Sequence, residues 1–131
     1  MRYIDTNIVV RLITEDDERQ FGIARRELDR GDLMLSMAVI VETEWVLRGG
    51  YRWTRVAINR ALRAFTSLAA IHVEDEAGLS AILDDHEHGM DLADALHLLD
   101  AQRGRAEAFL TFDRDLARCA RNGAVTVSLL S

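Results

Sequence analysis

Apolar runs of only three to six residues, set between stretches of helical length, constrain this chain more than any other feature. "RYID", "LMLS", "IHV", "AFLTF" and "VTVSLL" read as short strands, "AFLTF" as a buried one. The intervening segments have helical periodicity and recognisable ends. In "DDERQFGIARRELDRGD", Phe21, Ala24 and Leu28 recur at helical spacing behind an acidic first turn, with Gly31 as the stop. "TRVAINRALRAFTSL" places Ala57, Ile58, Ala61, Leu62 and Phe65 on one face. "EAGLSAILDDHEHG" and "DLADALHLLDAQRG" each close on a glycine, and "DRDLARCARNG" reads as a further helix. "NIVVRLIT" allows a continued strand or a helix, and Thr6-Asn7 suits a helix start. In "MAVIVETEWVLRGG", Val39, Ile40 and Val41 favour a strand, whereas the length, the Gly49-Gly50 stop and Ser36 as N-cap favour a helix. Short strands alternating with helices describe an α/β fold, a three-layer α/β/α sandwich on a short, mainly parallel central sheet covered on both faces.

The 131 residues suit one domain spanning 1–131, and no repeat, low-complexity tract or linker interrupts them. No apolar run reaches the ~18 residues of a membrane span. Arg2 and the charged segment behind it do not read as a secretory leader. With a single cysteine, Cys119, expected to be a small buried residue, a reducing cytoplasm is the expected location. The formal net charge is −6, so a nucleic-acid partner would need the acids gathered where a metal offsets them. All sixteen basic residues are arginine, which excludes chemistry that needs a lysine.

In open parallel sheets, sites lie beyond the carboxyl ends of the strands. Asp5 ends the first strand and Asp113 ends "AFLTF" in the same way. Glu42 has apolar helical neighbours in Ala38, Val39, Trp45 and Val46, so it is expected to point inward. Glu44 has Arg48 four residues on and is expected to form a surface pair. The helix of "DLADALHLL" is almost wholly apolar and is expected to be buried nearly all round, with Asp94 inside and Asp91 one turn before it. Asp5, Asp91 and Asp113 are also natural N-caps. Several carboxylates in one cleft would take up protons or hold a cation, and an all-oxygen donor set suits Mg²⁺ or Mn²⁺. His72, His86, His88 and His97 are scattered, with no zinc spacing. His86 and His88 are expected in solvent, and His97 to pack or to support Asp94 from behind. Thr6, Asn7 and Thr111 can orient a ligand acid or a water, and the carboxylate-held metal points to phosphoryl chemistry.

"YIDTNIVVRL", "VIVETEWVL", "DLADALHLL" and "LTFDRDL", in that order and spacing, resemble the signature segments of PIN-domain ribonucleases, and among these the VapC-type toxins of toxin–antitoxin pairs. The resemblance covers residues 3 to about 128. It implies that Asp5, Glu42, Asp94 and Asp113 are the metal-binding acids of a catalytic site. Asp91 and Asp115 would be accessory, with Thr6, Asn7 and Thr111 as accompanying polar residues. It further implies metal-dependent RNA cleavage, a homodimer and a small antitoxin protein that wraps the toxin.

In "RGGYRWTRVAINRALR", Arg48, Arg52, Arg55, Arg60 and Arg63 are interleaved with Tyr51 and Trp53, an arrangement that suits unstacked RNA bases or a protein interface. A receiver-like phospho-acceptor domain would need a lysine opposite its acids, which the chain lacks. A non-catalytic PIN-like module that only binds protein would not need four acids.

Overall fold

The computed structural model describes residues 1–120 and 125–131. The chain divides into two compact units, Met1–Leu79 and Ser80–Ser131. The elements, in chain order, are β1 (Arg2–Tyr3), α1 (Thr6–Thr14), α2 (Glu18–Asp29), β2 (Leu33–Leu35), α3 (Met37–Gly49), α4 (Arg55–Thr66), β3 (Ile71–Val73), α5 (Glu76–Glu87), α6 (Leu92–Arg103), β4 (Phe109–Thr111), α7 (Arg114–Cys119) and β5 (Val127–Leu129). The fold is mixed α/β with short parallel sheets, as the alternation of short runs and helices predicts. Among the described residues no helix is long and apolar enough to cross a membrane.

In the first unit, β1, β2 and β3 form a parallel sheet in that order, with Arg2 opposite Leu33 and Leu33 opposite Ile71. Parallel pairing puts all three carboxyl ends on one edge, so Asp5, Ser36 and Glu74 follow their strands there. Each strand turn is closed by a polar side chain. Asp5 caps α1, accepting from Ile8 N at 3.3 Å, and Ser36 caps α3, accepting from Val39 N at 3.2 Å. Glu74 reaches back from β3 to accept from Met37 N at 2.9 Å, satisfying one more free amide at the start of α3. Buried residues of this unit include Val9, Leu33, Leu35, Ile40, Leu47, Ile58 and Leu62.

In the second unit, β4 and β5 pair in parallel, with Phe109 opposite Val127 and Thr111 opposite Leu129. Asp91 caps α6 by accepting from Asp94 N at 3.1 Å. Asp113 caps α7 by accepting from Asp115 N at 2.8 Å and Leu116 N at 3.2 Å.

Several expected burials are corrected. β1 is exposed throughout, and β4 is not a buried strand, because Leu110 is 62% exposed in a sheet where its described partner is β5. α6 is not buried all round. Leu92 and Ala95 are buried, Asp94 is half-buried, and His97 is exposed. His86 is not in solvent but buried, because it falls one turn after Ile82 and Leu83 on the inner stripe of α5. Cys119 is half-buried rather than buried. The last helix stops at Cys119, with Ala120 extended, and the remainder of its predicted span at 121–123 lies outside the described residues.

Candidate functional site

Asp5 and Asp113 occupy equivalent positions, each directly after a short parallel strand and each at the N-cap of the next helix. Capping leaves half of each carboxylate available. Asp5 and Asp113 both use Oδ1 for their helix amides, and neither Oδ2 has a hydrogen-bond partner among the described residues. Thr111 fixes the second of these turns, its hydroxyl accepting from Asp113 N at 2.9 Å. Asp115 is exposed and paired with Arg118.

Glu44 pairs with Arg48 as expected, but Glu44 is the buried glutamate of α3 and Glu42 the exposed one. The buried residues of α3 are Met37, Ile40, Thr43, Glu44 and Leu47, a stripe at helical spacing that includes Glu44. Glu44 is 2% exposed and accepts two hydrogen bonds from Arg48, at 2.8 and 3.1 Å. Glu42 lies on the opposite, exposed face, with Ala38 before it and Trp45, 60% exposed, after it. The apolar neighbours that suggested an inward Glu42 are themselves exposed or half-buried. What positions Glu42 is Thr6, the first residue of α1, which is buried and donates its hydroxyl to Glu42 Oε1. Within the first unit, Asp5, Thr6 and Glu42 are therefore linked through one turn of backbone and one hydrogen bond.

Within the second unit, burial raises the Asp94 carboxyl above its ordinary range, and the charges of Asp91 and Asp113 push it further the same way. His97 acts in the opposite sense. It lies one turn beyond Asp94 and stacks on Phe109 of β4, with ring centroids 6.3 Å apart and planes inclined at 23°. Asp91 and Asp113 are thus close enough to Asp94 to disfavour its ionisation, in addition to burial. Asp5 and Glu42 in the first unit, and Asp94 and Asp113 in the second, each offer only carboxylate oxygen, the donor chemistry that suits Mg²⁺ or Mn²⁺. Among the described residues, neither unit by itself brings three His, Cys, Asp or Glu side chains within reach of one ion.

The arginine-rich stretch is partly committed elsewhere. Arg48 holds Glu44, and Arg63 donates to Asn59 Oδ1 at 2.7 Å. Arg52 has a left-handed backbone (φ 56°), and Arg55 opens α4. The Tyr51 hydroxyl donates to Asp16 Oδ2 at 2.6 Å and accepts from Arg11 Nη1 at 3.0 Å.

One feature beside Asp5 goes beyond the sequence expectations. A cleft of about 380 Å³ is lined by residues of α1 and α2, including Asn7, Arg11, Arg19 and Gln20, with Asp5 on its wall. The signal available in sequence was the i,i+4 pair Asn7 and Arg11, which shares a helix face in the turns following Asp5.

The family model described as PIN domain matches residues 2–122. No curated protein gives a significant match to the chain.

Proposed function

The chain belongs to the PIN domain family, a nuclease-type fold, and from that premise we propose that it is a metal-dependent endoribonuclease, the toxin of a VapBC-type toxin–antitoxin pair. Asp5, Glu42, Asp94 and Asp113 are its metal ligands in this reading, and Mg²⁺ or Mn²⁺ its cofactor. The observation that carries the reading is the division of labour within Asp5 and Asp113: one oxygen caps a helix while the other has no partner among the described residues. Thr6 on Glu42 and the charged surroundings of Asp94 support the same assignment.

When bound, the cation lowers the pKa of a water and offsets charge on the phosphodiester. The chain's own residues position the acids: Thr6 fixes Glu42, Thr111 fixes the backbone of Asp113, and Asp91 fixes the amide of Asp94. Asn7 and Asp115 are accessory. A homodimer and a small antitoxin partner belong to the same proposal, as does RNA contact by Arg52 and Arg55, with Arg48 steadied on Glu44.

Two measurements test it. Purified protein should cut cellular RNA internally with Mn²⁺, and Asp5→Asn, Glu42→Gln, Asp94→Asn and Asp113→Asn should each lose that activity. Protein that cuts no RNA with either metal, or a fully active Asp94→Asn variant, contradicts the nuclease assignment. Expression of the chain alone should arrest growth and Asp5→Asn should not, so equal growth of the two contradicts the toxin role.

A further inference from the structure

The cleft beside Asp5 runs against the composition of the chain. The protein as a whole carries a net charge of −6. The lining of this cleft holds two arginines, Arg11 and Arg19, against the single acid Asp5. The two arginines are prepared differently. Arg11 is fixed in place: Nε donates to Gln20 Oε1 at 2.6 Å, and Nη1 donates to Asp16 Oδ1 at 3.2 Å and to Tyr51 Oη at 3.0 Å. Asp16 is held in turn by the hydroxyls of Tyr51 and Thr14, at 2.6 and 2.8 Å. The Nη2 group of Arg11 and the amide NH₂ of Gln20 remain without partners among the described residues. Arg19, exposed in the first turn of α2, makes no hydrogen bond or ion pair with any described residue. Ile23, one turn further along α2, is 40% exposed and supplies an apolar wall.

We infer that this cleft is a subsite for the nucleotide adjacent to the scissile phosphate of single-stranded RNA, with Arg19 on its phosphate, Arg11 and Gln20 as oriented donors, and Ile23 against its sugar or base. The inference rests on the nuclease reading and adds to it the path of the substrate. Two properties favour RNA over a protein segment as occupant. Its donors are guanidinium and amide groups, which match phosphate and base edges. Its wall includes Asp5, a proposed metal ligand, so a strand lying in it is already at the reacting position. The volume, about 380 Å³, falls in the range of roughly 300–1,000 Å³ typical of small-ligand sites.

Fluorescence anisotropy of a short fluorescein-labelled oligouridylate, in EDTA to prevent cleavage and over a series of KCl concentrations, tests this. Wild-type protein should bind with log K falling linearly against log salt. Arg19→Ala should weaken binding and make the slope shallower by about 0.7, the value for one phosphate contact on a single strand. Arg19→Lys should restore the slope. Arg25→Ala, on the same helix but paired with Asp29 outside the cleft, should change neither. Wild type that cleaves RNA with Mn²⁺ while Arg19→Ala keeps wild-type affinity and slope overturns this inference alone and leaves the cleft to a protein partner. Wild type that neither binds nor cuts RNA overturns the nuclease reading and this inference together.

Discussion

Thr6 donates a hydrogen bond from its hydroxyl to Glu42 across 36 residues of sequence, tying the first residue of α1 to the exposed face of α3. Partners of this kind orient ligand side chains, and losing one typically costs roughly 10–100-fold in metal affinity or activity. Thr6→Val keeps the shape and removes the donor. It should lower Mn²⁺-dependent RNA cleavage by about that factor, and Thr6→Ser should retain most of it. Manganese titration of the three proteins is the measurement. Equal titration midpoints would show that Glu42 needs no such support.

Asp5 and Asp113 each serve a helix and, in the proposed function, a cation. Asparagine caps about as well as aspartate, whereas alanine loses about 1 kcal/mol at an N-cap. Asp113→Asn should therefore be inactive yet as stable as wild type. Asp113→Ala should be inactive and less stable by about 1 kcal/mol. Urea melts alongside cleavage assays separate the two effects. An inactive Asp113→Asn that is also markedly destabilised would mean that the activity loss came from the fold.

Glu44 is buried with Arg48 as its bidentate partner, away from the exposed face that carries Glu42. Removing a partner from a buried polar group costs about 1–3 kcal/mol. Arg48→Ala should lower the melting temperature accordingly. Glu44→Gln should keep cleavage activity, in contrast to Glu42→Gln. Loss of activity in a folded Glu44→Gln protein would transfer the catalytic role to the buried glutamate.

Asp94 sets a pH dependence with a definite sign. Burial, then Asp91 and Asp113, raise its folded carboxyl pKa. The folded protein therefore binds more protons than the unfolded chain between the two pKa values. The stabilisation is fully present below the unfolded value, ~4. It is lost as pH rises through the raised folded value. In EDTA the melting temperature of wild type should fall over that window, and Asp94→Asn should remove this contribution. Mn²⁺ at neutral pH should stabilise wild type, by about 2.7 kcal/mol at a hundredfold excess over its dissociation constant. A wild type and an Asp94→Asn variant with the same pH profile in EDTA, both unmoved by Mn²⁺, would make Asp94 a purely structural carboxylate.

The strand ends were legible in the sequence because two signals coincide there. An apolar run stops at a residue that also caps the next helix, and Asp5, Ser36 and Asp113 all sit at such points. Helix faces were legible only where polar and apolar residues segregate. On α3 they do not: Ala38, Val39, Val41, Trp45 and Val46 line the more exposed side as Met37, Ile40 and Leu47 line the buried one, so periodicity could not say which glutamate faces in. Packing of α3 against α1 and α4 decides that, and it selects Glu44. His86 misled for the opposite reason. Its neighbours Asp84, Asp85, Glu87 and His88 advertise solvent, while its spacing from Ile82 and Leu83 places it inside. The Arg11–Gln20–Tyr51 network joins residues up to 40 apart and leaves no local signature.

The exposed face of α3 has an optical consequence. Trp45 stands in water one turn beyond Glu42, while the chain's second indole, Trp53, is half-buried. The emission of Trp45 is therefore open to aqueous quenchers from the side that carries Glu42, and that of Trp53 is partly shielded. In the proposed function, a cation or an RNA strand arriving beside Glu42 should change the surroundings of the first indole before those of the second. Such an arrival would be readable as a change in the quenching of Trp45, without a dye and without turnover.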